Sequence, residues 1–274
     1  MANLNRPEQG ASVNKRKLGK SASNSVKLQV QLPRCFVAGR GEGVLPPLRI
    51  FFYIDALNFY YGALRHTSFR WLDIGAFCEA ILREQVRFVT DTDGLKEHPF
   101  KIEGIKIFTA HLKELFWDPG APARQKLYLT ALCAHDPRID IQYGKFSVHE
   151  HMAYDAESTG KRHKIIRPEE KGSDVNLALH MLNDAFNDKY DCAIMVSNDT
   201  DLLSALTMVH EQKKMVGVAL PRANRSKSLK NNADFYLDVR SKLLAGCQLP
   251  DPVPYKTKKI LRKPKEWSAP KANL

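Results

Sequence analysis

Five short runs rich in β-branched and aromatic residues, spaced by stretches of helical character, constrain this chain more than any other feature. Residues 48–54, 105–111, 139–148, 192–197 and 215–220 read as strands, the third extending toward Tyr154. Between them 122–135, 174–186 and 202–212 read as helices, and 174–186 is apolar on nearly every side, which predicts burial against a sheet. Strands separated by helices predict an α/β fold with a mainly parallel central sheet between two helical layers. The polar stretch 155–164, which holds Gly160, reads as an exposed excursion.

Charge divides the chain into three parts. The net charge is +12, yet residues 48–248 are nearly balanced. Residues 1–47 hold eight Lys and Arg against two acids, in a polar, small-residue composition that predicts disorder apart from an edge strand over 26–32. Residues 249–274 form a Pro- and Lys-rich tail with seven bases against two acids and little to bury. Such basic arms suit a phosphate polymer, and they equally suit simple solubility. No apolar run reaches membrane-spanning length and no apolar signal core opens the chain, so the expectation is a cytoplasmic protein without membrane contact. Cys35, Cys78, Cys133, Cys192 and Cys247 are scattered without zinc-type spacing and read as reduced thiols. A homo-oligomer is compatible with the sequence but not readable from it.

Four carboxylates carry the functional signal. Asp55 follows the first strand, Asp199 and Asp201 follow the strand 192–197, and Asp174 opens a helix. Ligand sites in open parallel sheets lie beyond the carboxyl ends of the strands, so all four are predicted to meet at one edge. Gathered carboxylates repel unless a cation offsets them, and hard oxygen donors suit Mg²⁺ or Mn²⁺. Each acid alone also reads as a helix cap or turn residue.

At these residues the chain resembles the NYN domain, within the PIN-like group, and its LabA-like branch in particular. The resemblance is carried by FYIDALNFYYG (52–62), EEKGSDVNLALHML (169–182) and VSNDTDLLSAL (196–206), with a weaker match at Ser228, Leu229, Ala233 and Asp234. It covers about 48–242 and implies a PIN-like, Rossmann-like three-layer sandwich over 48–248. It further implies hydrolysis of RNA phosphodiester bonds by a metal-activated water, with Asp55, Asp174, Asp199 and Asp201 as ligands of Mg²⁺ or Mn²⁺ and Asn58 as a hydrogen-bonding neighbour. Ala56–Leu57 and Asn198 depart from the usual motif residues without removing a carboxylate. A non-catalytic RNA-binding or scaffold module of the same fold is the alternative. The 196–201 stretch also resembles an acidic motif of haloacid-dehalogenase-like phosphatases, but that chemistry needs a second acid at position 57, which is leucine.

Basic residues near this edge are candidates for RNA backbone contacts: Lys171 beside the metal, and the run Arg222, Arg225, Lys227 and Lys230 after a strand end. Ordinary solvation of these charges is the plainer reading. Tyr60 and Tyr61 could stack on bases, with core packing expected for at least one. His149 and His151 share a strand face but lack an evident third metal ligand.

Overall fold

The computed structural model describes residues 27–33, 46–90, 97–155, 160–222 and 226–268. In chain order the elements are β1 (Leu28–Gln31), β2 (Leu48–Asp55), α1 (Ala56–Phe59, continued by a π-helical turn Tyr60–Leu64), α2 (Ile74–Gln85), β3 (Val86–Val89), β4 (Phe100–Ala110), α3 (Ala121–His135), β5 (Ile139–Tyr154) and β6 (Arg162–Lys171). Then follow α4 (Ser173–Phe186), β7 (Cys192–Val196), α5 (Leu203–Glu211), β8 (Met215–Leu220), α6 (Lys227–Asn231), β9 (Phe235–Asp238), α7 (Ser241–Gly246), β10 (Val253–Tyr255) and β11 (Lys259–Leu261).

Seven strands form the central sheet in the order β6-β5-β4-β2-β7-β8-β9, and every neighbouring pair is parallel except β5 with β6. Alternation along the strands divides the core. Ile50, Phe52 and Ile54 of β2 join α2, α3 and α7 on one face, while Tyr53 joins Leu177 and Met181 of α4 and Leu206 of α5 on the other. The result is the α/β three-layer arrangement that the strand–helix alternation predicts.

Asp184, fully buried on α4, ties that helix to the sheet: it accepts from Tyr53 Oη at 2.9 Å and pairs with Lys106 of β4. Burial pushes its carboxyl up, but the Lys106 and Lys189 ammoniums and the tyrosine hydroxyl hold it below the usual carboxylate range.

Three expectations change. First, α4 is not buried all round. Leu177, Met181 and Ala185 face the sheet, but Val175, Leu179 and Phe186 are about 60% exposed. Composition marks the helix as apolar, but only one side of it has a sheet to cover. Second, residues 249–268 do not hang free: Leu249, Val253 and Trp267 are buried. Trp267 packs edge-on against Trp71 and Tyr128, and Trp71 Nε1 donates to the Pro250 carbonyl at 3.2 Å. The lysines and prolines of this segment hid three large anchors. Third, the segment 155–164 is flanked by paired strands: β5 runs to Tyr154 and β6 starts at Arg162, the two pairing antiparallel, with residues 156–159 outside the described residues.

The expected edge strand exists as β1, paired in parallel with β3 and burying Val30. The remainder of the basic N-terminal extension, Cys35, Arg225 and the last six residues lie outside the described residues. The other four cysteines are free thiols. Among the described residues no helix is long and apolar enough to cross a membrane.

Candidate acidic site at the carboxyl edge of the sheet

Parallel pairing brings the ends of β2 and β7 side by side, with Ile54 opposite Val196. The chain therefore delivers Asp55 and Ser197 to the same point one residue later. Asp55 is 6% exposed. Its Oδ1 accepts from the Asn58 backbone N–H at 3.0 Å, and its Oδ2 accepts from Ser197 Oγ at 3.0 Å. Ser197, itself fully buried, also accepts from the Asp199 backbone N–H at 3.0 Å. One hydroxyl thus fixes a carboxylate on one strand and the backbone of the acid that follows the next. Asp199 in turn caps the short 3₁₀ turn at Thr200–Leu202 by accepting from the Asp201 N–H at 2.9 Å.

Asp174 lies in the first turn of α4. Gly172, at φ 89°, turns the chain from β6 into this helix in a conformation that side chains disfavour. Glu170 accepts from the Ser173 N–H at 3.0 Å, which seats its carboxylate beside Asp174. Gly144 leaves room for this approach, because a Cβ there would fall 2.7 Å from Glu170 Oε1.

The electrostatics report the convergence. Burial, followed by the charges of Asp174 and Asp199, pushes Asp55 up to about 6 against the pull of its two hydrogen bonds. Burial, then Asp199, Glu170 and Asp201, pushes Asp174 up to about 6. Acids from three remote stretches therefore share one field. Among the described residues, however, no three His, Cys, Asp or Glu side chains stand at metal-binding geometry. The acids form a coupled cluster and not a finished cage. Asp55 and Asp199 each cap a turn while standing at the shared edge.

Asn58 reaches the cluster through its backbone. Its side-chain oxygen accepts instead from the Asn198 N–H at 3.0 Å and so pins the loop after β7. Asn198 Oδ1 accepts from the Arg222 N–H at 2.9 Å, and Ser226 Oγ donates to the Asn198 carbonyl at 2.7 Å. With Tyr61, half-exposed, these residues line a cleft of about 230 Å³. Tyr60 packs on the core, as expected for one member of the pair.

The basic candidates separate. Arg222 lies in the cleft, with Nη2 donating to the Tyr61 carbonyl at 3.1 Å. Lys227 is exposed on α6, and Lys230 sits 4.4 Å over the Tyr236 ring. Lys171 does not join the acids. It pairs with Glu169 at 3.4 Å, on the strand face opposite Glu170, because neighbours in a strand point to opposite sides. Sequence reasoning missed Glu170 and the bridging role of Ser197. The serine was visible only as a motif letter, and the glutamate needed the facing of β6.

A family model for the NYN domain matches residues 49–240. The chain is 35% identical over 243 residues to the 6-hydroxy-3-succinoylpyridine 3-monooxygenase HspA of Pseudomonas putida, a match covering 81% of this chain and 76% of that protein. The crystal structure of a protein of unknown function from Vibrio parahaemolyticus matches at 16% identity and a TM-score of 0.41, covering 74% of this chain and 97% of that one. With the family match running from the first core strand through the last, the chain belongs to the NYN domain family.

Proposed function

We propose that this protein is a metal-dependent ribonuclease of the PIN-like kind, of the LabA-like branch, with its active centre at Asp55, Asp174, Asp199 and Asp201. The observation that carries the reading is the gathering of acids at one edge: Ser197 joins the Asp55 carboxylate to the backbone of Asp199, and beside burial the charges of Asp174 and Asp199 push Asp55 up to about 6 while those of Asp199, Glu170 and Asp201 push Asp174 up to about 6. The donor set fits Mg²⁺ or Mn²⁺, being carboxylate oxygen in a field of surplus negative charge. A preformed cage is not required, because Mg²⁺ commonly keeps several waters and uses one or two carboxylates together with substrate phosphate. When bound, the cation neutralises phosphate charge and helps activate water.

The chain's own groups divide the remaining work. Ser197 and the Asn58 N–H hold Asp55 in one orientation. Asp174, half-buried and raised to about 6, is still largely ionised at neutral pH and can take the proton of the attacking water as its oxygen bonds to phosphorus, while the P–O bond to the leaving oxygen breaks and that oxygen takes a proton from solvent. Arg222, which lines the cleft, offers its guanidinium to a phosphate oxygen.

The test is cleavage of labelled structured RNA, unstructured RNA and DNA with Mg²⁺, Mn²⁺ or chelator, alongside Asp55→Asn. We expect cation-dependent RNA cleavage that the substitution abolishes. A parent protein that binds RNA but never cuts it would establish the non-catalytic alternative. The monooxygenase name of the Pseudomonas relative supplies a second reading, favoured by the small polar cleft at Arg222, which could seat an anionic pyridine. Consumption of dioxygen in the presence of an added reductant, dependent on 6-hydroxy-3-succinoylpyridine, would establish it.

A further inference from the structure

The β5–β6 hairpin has a placement and a charge pattern that the acidic site does not explain. β5 runs parallel to β4, and their pairing ends at Ala110 opposite Gly144. Residues 145–154 therefore continue past the carboxyl edge, the edge that carries the acids. β6 then returns antiparallel and leads through Gly172 directly into the helix of Asp174. At about 3.4 Å per residue, the arm reaches roughly 30 Å beyond the sheet.

Register assigns the faces of the arm. Lys145 pairs with Lys171, Ser147 with Glu169, His149 with Arg167 and His151 with Ile165, so these side chains share one face. Like charges directly opposite on paired strands are destabilising, and Lys145 faces Lys171 at the arm's base. A single carboxylate, Glu169, is shared by Arg167 at 3.2 Å and Lys171 at 3.4 Å. The other face differs. There Lys164 is matched by Glu150 at 2.5 Å, and Arg162 lies 5.1 Å over the Tyr154 ring. One side of the arm is thus left with an excess of exposed cations, whereas on the other Lys164 and Arg162 are offset in number by Glu150 and Glu170.

The cationic face continues onto an aromatic platform. Tyr143 precedes Lys145 by two residues on the same face and stacks on His111 at 4.0 Å and 15°. The two rings, with Lys126, line a hollow of about 350 Å³. Cations in a row next to an exposed stacked ring are what a single nucleic-acid strand requires: charge for successive phosphates and a flat surface for a base.

We propose that the arm is a grip for single-stranded nucleic acid, in which Lys145, Arg167 and Lys171 hold the backbone and Tyr143 stacks a base. The inference rests on the nuclease reading for its purpose, but binding is measured separately from cutting. The probe is a fluorescein-labelled oligouridine of about 16 nucleotides, followed by anisotropy in chelator, where no cleavage occurs. With about 0.7 counterions released per phosphate contact, K145A/R167A/K171A should bind about 100-fold more weakly near 0.1 M salt, with a salt slope shallower by about 2. Tyr143→Ala should cost about tenfold with the salt slope unchanged. R162A/K164A, on the opposite face, should stay within about threefold of the parent.

Equal losses from the two faces, or no loss from the triple variant, would overturn the grip, as would a parent that does not bind the oligonucleotide. Thermal melts accompany each variant; if the triple variant misfolds, Lys145→Gln and Arg167→Gln singly should each cost about fivefold. Binding that depends on the arm in a protein that never cleaves would remove the nuclease reading and leave the grip standing. Cation-dependent cleavage that is unaltered in the triple variant would do the reverse.

Discussion

Replacing Asp55 with asparagine should make the protein more stable at alkaline pH while destroying cleavage, and the size of the gain follows from the site. Asp55 is nearly buried, and its carboxyl stands at about 6 in place of 3.8, chiefly through burial and then the charges of Asp174 and Asp199. Held that far above its ordinary value, the carboxyl burdens the folded state by about 3 kcal/mol when ionised. The folded state binds this proton more tightly than the unfolded state does. The parent therefore loses stability as pH rises through 6 and regains it as pH falls toward the ordinary carboxylate range. Between about pH 8 and pH 5 a single site of this kind returns about 1.4 kcal/mol, spread more broadly here because Asp174 titrates with it. Asparagine can still accept from the Asn58 N–H but leaves the Ser197 hydroxyl without its acceptor, a cost of about 1 kcal/mol. Asp55→Asn should thus exceed the parent by about 2 kcal/mol near pH 8 and by under about 1 kcal/mol near pH 5. Urea unfolding followed by circular dichroism at both pH values measures this directly. Mn²⁺ at a hundredfold over its dissociation constant should add about 2.7 kcal/mol to the parent and little to the variant. A variant that is less stable than the parent at pH 8, by a margin independent of pH, would show Asp55 to be an ordinary turn cap and remove the physical basis of the site.

Three further outcomes are expected. Ser197→Ala frees the carboxylate of Asp55 and the backbone of Asp199 together, so kcat for RNA cleavage should fall about 10- to 100-fold with KM little changed, and threonine should restore part of it. Asp184→Ala strands the Lys106 ammonium in the core and should cost about 3–5 kcal/mol in urea unfolding at pH 7. Because Asp184 is held below the usual range, its contribution is present above the unfolded-state carboxylate pKa and is lost as pH falls through the folded one; the penalty should therefore shrink in acid. Trp267→Ala should lower stability by about 3–5 kcal/mol by opening the contact with Trp71 and Tyr128, whereas a free tail would register nothing in the same unfolding curve.

What the sequence makes legible here follows from which physical rules are local. A run such as 192–196 announces a buried strand by itself, and the rule that parallel strands present ligands at their carboxyl ends then carries Asp55, Asp199 and Asp201 to one edge without coordinates. Facing is a different kind of information. Val175 and Leu177 are equally apolar, yet one is exposed and the other buried, because only the sheet decides which side of α4 is covered. Trp267 is an anchor only because Trp71 and Tyr128 wait for it across the fold.

Lys171 shows the distinction at its sharpest. It stands three residues before Asp174 and invites assignment to the same centre, but a strand sends adjacent side chains to opposite faces. Glu170 takes the side of the acids, so Lys171 must take the other, opposite Lys145 and beside Arg167. The register that withdraws this lysine from the acidic cluster is what aligns it with the cations of the arm. A one-residue slip in the β5–β6 pairing would exchange the two faces and turn the excess cations away from Tyr143. The acids depend on where strands end, and the grip depends on how two strands are paired. An insertion near the hairpin tip that shifts register should therefore abolish arm binding and withdraw the Glu170 charge from Asp174, while the charges of Asp174 and Asp199 on Asp55 persist.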